Sequence, residues 1–279
     1  MENHKYIARF WGARGTIPCP SSDKLRFGGN TSCLQIDPGG SEQFIFDCGS
    51  GFRNFGASLA KLESEKRPRK FHIFFSHYHF DHLEGLPLFG PLYDERSEIT
   101  IYGADSCGLQ VQQILERLIR PPYFPVTLAD VPSQPQYVQL TGDPIQLAEL
   151  KISTAPLNHP DGCLSFRIQR GERSIVYATD HEHGIEKIDL GLIEHAKNAD
   201  HLIYDATYEP AEYEEMRRGW GHSTWYAAIQ TALAAQVKNL LLFHHHPDYS
   251  DEELARVIEI AQREFPATAA SYEGLELEL

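Results

Sequence analysis

The feature that most constrains this fold is a series of short apolar runs, several of which end in a residue able to do chemistry. "QFIFDCG", "FHIFFSH", "EITIYG", "KISTAPL", "SIVYATD", "HLIYDAT" and "NLLLFHH" are rich in aromatic and β-branched residues, which predicts strands. Several are apolar throughout rather than alternating, the pattern of strands buried on both faces. Between and after them, "GLQVQQILERLI", "HSTWYAAIQTALAAQ" and "DEELARVIEIAQREF" carry helical periodicity, the last opened by a capping box of Ser250 and Glu253. Strands interspersed with helices predict an α/β protein. The chain shows no linker, fixed-period repeat or low-complexity segment, so residues 1–279 read as one domain.

His77, Asp180, Asp205 and His244 stand at or just past the ends of predicted strands. Strand ends deliver side chains to one rim of a sheet, where α/β proteins build sites. The densest cluster is "FFSHYHFDHLEGLPLF", with His77, His79, Asp81 and His82 on a turn behind "FHIFF". Imidazole and carboxylate donors suit zinc, manganese or iron, and no cysteine lies nearby to make a structural zinc knuckle. Further donors follow: His159 in "APLNHPDG", Asp180 in "VYATDHE" and His244 opening "HHHP". Five histidines and two aspartates are enough for two divalent ions sharing Asp180, with Zn2+ the first expectation and Mn2+ or Fe compatible with the same donors. In "HHHP", His245 and His246 are expected to back the site or face solvent, His181 and His183 to be solvated, and His72 to be structural.

Asp and Glu outnumber Lys and Arg by 39 to 25, a formal charge of −14. Long polyanions are held by basic fields, so the balance weighs against extended nucleic acid. The five scattered cysteines form no CxxC pair and read as buried free thiols. No apolar run approaches the roughly 20 residues that span a bilayer. The start "MENHKYIARFWGARG" lacks the apolar core of a signal peptide, so a cytoplasmic protein without a membrane partner is expected.

From "GARGTIP" through "GGNTSC" and "FDCGSG" to "LLLFHHHP", the chain resembles metallo-β-lactamase-fold hydrolases. The likeness is to the binuclear branch of ribonuclease Z and cyclic-nucleotide phosphodiesterases. It implies a four-layer αββα metallo-β-lactamase sandwich. One metal would take His77, His79 and His159, and the second Asp81, His82 and His244, with Asp180 bridging. Asp47 matches an acidic position that supports the site. "LIYDATYEP" and "GWGHSTWYAAIQTA" resemble a pair in which a carboxylate faces a histidine, here Asp205 and His222; ribonuclease Z has glutamate at the Asp205 position. The resemblance implies phosphodiester hydrolysis by a hydroxide bridging the metals, with His222 as proton donor. His222 also stands where it would cap the following helix beside Ser223 and Thr224.

Asp180 and His222 are only 42 positions apart, and the span between them shows no basic or Gly-rich arm of the kind that grips transfer RNA. A small phosphodiester, foremost a cyclic nucleotide, is the expected substrate. The Pro-rich "LIRPPYFPVTLADVPSQPQYVQL" is a candidate lid in which Tyr123 and Phe124 would stack on a base. Arg14 and Asn30 are further candidate substrate contacts. The alternatives are a ribonuclease Z-like endonuclease, a carbon-ester, lactone or β-lactam hydrolase, and a non-catalytic ligand-binding relative. A homodimer is expected only by analogy.

Overall fold

The computed structural model describes residues 5–184 and 189–279. By its internal contacts the chain divides into two compact units. One comprises Met1–Gly12, Asn30–Thr141 and Gly274–Glu278, and the other Ala13–Gly29, Gly142–Glu273 and Leu279. The first holds strands β1 (Ile7–Gly12), β2 (Cys33–Asp37), β3 (Glu42–Phe46), β4 (Lys70–Phe74), β5 (Glu98–Gly103) and β6 (Gln136–Gln139). The second holds β7 (Ile145–Leu147), β8 (Leu150–Leu157), β9 (Cys163–Arg170), β10 (Arg173–Ala178), β11 (His201–Asp205), β12 (Asn239–Phe243) and β13 (Thr268–Ala270). The last strand, β14 (Glu276–Glu278), returns to the first unit.

Each unit is built on one mixed sheet. In the first the order is β14-β1-β2-β3-β4-β5-β6, antiparallel as far as β3 and parallel beyond it. The change of sense follows from helix α1 (Ser50–Ala60), which carries the chain from β3 back to the start of β4. In the second the order is β13-β12-β11-β10-β9-β8-β7, parallel from β13 to β10 and antiparallel from there. These two mixed sheets with their helices bear out the α/β expectation.

All seven apolar runs form strands, β3, β4, β5, β8, β10, β11 and β12. β3, β4, β11 and β12 are buried from their second residue onward, mostly through large apolar side chains, with Gln43, His72 and Asp205 the polar side chains taken inside. In the first unit Phe46 stacks on Phe74 at 5.0 Å and Phe74 on Tyr102 at 4.3 Å, locking three adjacent strands in register. Phe52 and Phe55 of α1 pack with Phe89, Phe52 at 4.4 Å, in the core beneath the sheet. Truncating one such ring to Ala removes about 3–5 kcal/mol. The amphipathic α2 (Val111–Leu118) buries Val111 and Leu115 in the same core.

In the second unit α3 (Leu190–Ala196) is capped by Asp189, whose carboxylate accepts from the Leu192 amide. A short turn, α4 (Pro210–Glu212), runs into a π-helical turn over Tyr213–Arg217. α5 (Trp225–Ala235) is capped by Thr224, which accepts from the Ala227 amide at 3.1 Å. α6 (Asp251–Glu264) has both bonds of the expected capping box. All five cysteines are free; Cys33, Cys48 and Cys163 are buried as expected, whereas Cys107 is exposed. Among the described residues no helix is long and apolar enough to cross a membrane. The candidate lid contains a single 3-10 turn, Leu128–Asp130, before it enters β6.

Candidate metal-binding site

The first unit supplies a histidine cluster braced by Asp47. This residue follows β3 directly, is fully buried, and has a left-handed φ of +61°. Its Oδ1 accepts from the Ser76 amide and its Oδ2 from Ser76 Oγ and His82 Nδ1, each at 2.8 Å. Asp47 thus anchors the loop behind β4 and orients one of its imidazoles. Nδ1 of His77 lies 3.0 Å from Ser76 Oγ. A 3-10 turn over Phe80–His82, closed by the His82 amide on the His79 carbonyl, folds the motif back on itself. The His77 ring lies 4.6 Å from that of His79 and 4.3 Å from that of His82, with Asp81 Oδ2 3.4 Å from His82 Nε2. Gly49 permits the approach: a Cβ there would sit 2.3 Å from the Asp81 carbonyl oxygen.

The second unit gathers His159, Asp180, Asp205, His222 and His244. Asp180 and His244, past the ends of β10 and β12, have left-handed φ values of +49° and +57°. Backbone held in that region by non-glycine residues is strained and persists where surrounding contacts fix it. Here Thr179 Oγ1 donates to Asp180 Oδ2 at 2.5 Å, and Thr207 Oγ1 lies 3.0 Å from His244 Nδ1 and 2.8 Å from the His244 carbonyl. Asp180 Oδ1 is 3.3 Å from His244 Nε2 and 3.8 Å from His159 Nε2. His159 Nδ1 donates to the Gly221 carbonyl at 2.7 Å. His159, Asp180 and His222 can offer ligand atoms within 4.8 Å of one another, as can Asp205, His222 and His244.

Beside these lies the expected carboxylate–imidazole pair. Asp205 is the last residue of β11 and fully buried, and its Oδ2 accepts from His222 Nδ1 at 2.8 Å. Burial alone would push the Asp205 carboxyl up, but His222 and His244 outweigh it and hold it below the usual range. The His222 ring stacks on His244 at 4.7 Å and 18°. The helix cap belongs to Thr224, leaving His222 to Asp205.

The donor chemistry fits divalent metal. His82, His159 and His244 each have Nδ1 beside an oxygen, which leaves Nε2 to face a ligand, the usual arrangement of metal-binding imidazole.

Other expectations fare differently. His72 is structural, with Nδ1 2.9 Å from Tyr102 Oη and Nε2 2.8 Å from Glu42 Oε1. His181 and His183 are buried rather than solvated: His181 Nδ1 accepts from the Asn158 amide and His183 Nδ1 lies 2.8 Å from Ser223 Oγ. Arg14 is fully buried, with Nε on the Gly28 carbonyl, Nη1 on those of His246 and Tyr249, and Nη2 3.9 Å from Asp251 Oδ1, so it ties these loops together. Asn30 Oδ1 accepts from Ser50 Oγ at 3.0 Å. Tyr123 is exposed, whereas Phe124 packs against the core of the first unit. Sequence reasoning missed Ser76 and Thr207, whose signal was a hydroxyl beside or two positions past a candidate residue. It also missed Glu182, which accepts from Tyr213 Oη, Gly219 N and Gly221 N; burial opposes its charge, yet these donors hold its carboxyl below the usual range.

Residues 42–245 match the model of the beta-lactamase superfamily domain. The chain belongs to that superfamily. It is 25% identical to a ribonuclease Z of Picrophilus torridus, over 88% of this chain and 87% of the relative. The structure superposes on the metallo-beta-lactamase fold protein YhfI from Bacillus subtilis with a TM-score of 0.74 at 19% identity, covering 99% of this chain and 100% of the other. It superposes on a diphosphatase of the PhnP family with a TM-score of 0.71, also at 19% identity, covering 99% and 97%. The resemblance to metallo-β-lactamase-fold hydrolases is thereby borne out, and divalent metal binding follows from superfamily and donor set together.

Proposed function

We propose that this superfamily member is a metal-dependent phosphodiesterase acting on a small phosphodiester, foremost a cyclic nucleotide, with His222 as proton donor. Two divalent ions, Zn2+ in the first instance, would be held by His77, His79 and His159 and by Asp81, His82 and His244, with Asp180 shared. When bound, such ions polarise phosphoryl oxygens and make water a nucleophile near neutral pH. The chain's own residues supply the rest. Asp205 fixes His222 with Nδ1–H toward the carboxylate, so Nε2 faces outward to protonate the leaving oxygen. Asp205 balances the imidazolium charge, and Thr207 and Ser223 hold Asp205 in turn.

The observation that carries this reading is the 2.8 Å Asp205–His222 bond, buried on the Asp205 side, among residues that could hold metal, which would provide a positioned acid in addition to the metals. The names of the relatives, a ribonuclease and a diphosphatase, support phosphorus over carbon as the centre attacked. A base-bearing substrate is supported by the wall beside His222. The Arg217 guanidinium lies 5.6 Å from the Tyr208 ring and 4.7 Å from that of Trp220, which is 57% exposed two positions before His222. Compactness is supported by the 180–222 span, whose described residues hold only α3, β11 and the short turns at 210–217. The ribonuclease Z likeness favours a second reading, cleavage of structured RNA.

Metal-loaded protein is assayed on 3′,5′- and 2′,3′-cyclic nucleotides, bis(p-nitrophenyl) phosphate and a transfer RNA precursor, with metal content measured. Cyclic-nucleotide turnover that falls about 100- to 10,000-fold in His222→Ala at unchanged metal content is expected. Cleavage of the precursor alone would select the second reading. Bound metal with no substrate touched would overturn both.

A further inference from the structure

One buried carboxylate is connected to a metal-ligand histidine and to the proton donor while belonging to neither set. Glu182 is 9% exposed. Its Oε1 accepts from Tyr213 Oη and from the Gly219 amide, each at 2.7 Å, and its Oε2 from the Gly221 amide at 3.0 Å. Its backbone is paired with Asn158: the Glu182 amide donates to the Asn158 carbonyl and Asn158 Nδ2 to the Glu182 carbonyl, both at 2.8 Å. Asn158 precedes His159 and Gly221 precedes His222. The Gly221 carbonyl is the group that accepts from His159 Nδ1 at 2.7 Å.

We propose that Glu182 is a positioning residue, a latch on the 213–221 turn that fixes the tautomer of His159 and the placement of His222 together. The inference rests on the roles proposed above for those two histidines. Gly221 is fixed through both its polar backbone groups, N–H on Glu182 and C=O on His159, so it cannot rotate without releasing one. Gly219 and Gly221 have φ of +83° and +85°, a conformation open to glycine in which both amides reach one carboxylate. A Cβ on Gly221 would lie 2.5 Å from His159 Nδ1, which shows how closely the turn is laid against the imidazole. Asn158 closes the loop from the other side, so one residue sets the spacing of His159 and the turn before His222.

The test uses the full-length protein stripped of metal, in four forms: wild type, Glu182→Ala, Glu182→Gln and Tyr213→Phe. Zn2+ binding is followed by calorimetry, the His159 tautomer by imidazole nitrogen NMR, and folding by urea titration. Glu182→Ala is expected to weaken Zn2+ binding about 10- to 100-fold and to populate both His159 tautomers. Glu182→Gln, which keeps an acceptor for only part of the turn, should fall between, and Tyr213→Phe, which leaves both glycine amides held, should stay near wild type. Lower urea midpoints with Zn2+ affinity and tautomer unchanged would reduce Glu182 to a fold-stabilising residue and overturn the latch. If the alanine variant fails to fold, the glutamine variant decides on the same two readouts. Neither readout involves a substrate, so protein that hydrolyses no phosphodiester would defeat the proposed function and leave the latch to be judged by zinc and NMR.

Discussion

Asp205→Asn is the substitution whose consequences can be worked furthest from the structure. Oδ1 of Asp205 accepts from Thr207 N, Thr207 Oγ1 and Ser223 N, and Oδ2 from His222 Nδ1 and His181 N. An asparagine that keeps its oxygen toward Thr207 and Ser223 brings an NH2 group against two donors. The charge-assisted bond to His222 contributes roughly 1.5–3 kcal/mol, and a buried His181 amide left without an acceptor costs about 1–3 kcal/mol. Together these predict a loss of roughly 2.5–6 kcal/mol in unfolding free energy, bracketing the roughly 3–5 kcal/mol for breaking one side of a buried pair. The effect on rate is separable. With NH2 facing Nδ1, His222 becomes a neutral acceptor there and no longer serves as a strong acid. A lost general acid lowers kcat by about 100- to 10,000-fold, provided the leaving oxygen needs a proton. The assay therefore compares a cyclic nucleotide, which departs as an alkoxide, with bis(p-nitrophenyl) phosphate, which departs as a stabilised phenolate. The expected loss is large on the first and much smaller on the second. Equal losses on both substrates would refute the acid role and reduce Asp205 to a structural carboxylate.

Three further outcomes follow from individual contacts. Burial pushes His245 down to about 3, so the folded chain resists a proton that the unfolded chain takes up below the ordinary histidine value of about 6.5; stability present at neutral pH is lost as pH falls through that window, at about 1.4 kcal/mol per unit. Between pH 6 and 4 the wild type should lose roughly 2–3 kcal/mol more in urea unfolding than His245→Gln, and parallel curves would contradict this. Arg14→Lys cannot span the three carbonyls its fork now meets and should lower unfolding free energy by roughly 2–4 kcal/mol while leaving kcat/KM per folded molecule unchanged. A fall in kcat/KM at full folding would instead support Arg14 as a substrate contact. A Cβ at Gly15 would lie 2.2 Å from the His244 ring; under the proposed ligand set Gly15→Ala should therefore lower bound divalent metal, measured by emission spectrometry, and cost about 1–3 kcal/mol. Unchanged metal content would show that His244 relaxes freely or holds no metal.

What the sequence disclosed and what it hid divide along a physical line. β3, β4, β11 and β12 were legible because each is dominated by large apolar residues, the mark of a strand buried on both faces. β6, with alternate residues exposed, and the three-residue β7, β13 and β14 have no such requirement and left no readable pattern, while β1, β2 and β9 went unread because polar residues interrupt them, even though β2 is buried at Cys33–Ile36. The site divides in the same way. Histidines and aspartates at strand ends announce metal chemistry by type and position, and the HxHxDH spacing carried that reading. Their orientation depends on partners the spacing cannot name. Asp47, Asp180 and His244 each turn into left-handed backbone directly after, or within two residues of, a strand end, a conformation that only their tertiary hydrogen bonds make tenable. His181 and His183 were expected in solvent because polar residues beside a candidate ligand usually are; they are buried, with His183 against Ser223, forty positions away. The tautomer of His159 is set by a glycine carbonyl, a group every residue possesses, so no choice of side chain could have marked it. Only the approach left a trace, since Gly221 stands where any Cβ would strike the imidazole. A sequence therefore records a ligand's identity directly, but its alignment only through such exclusions, and a glycine beside a catalytic candidate is where alignment can be read.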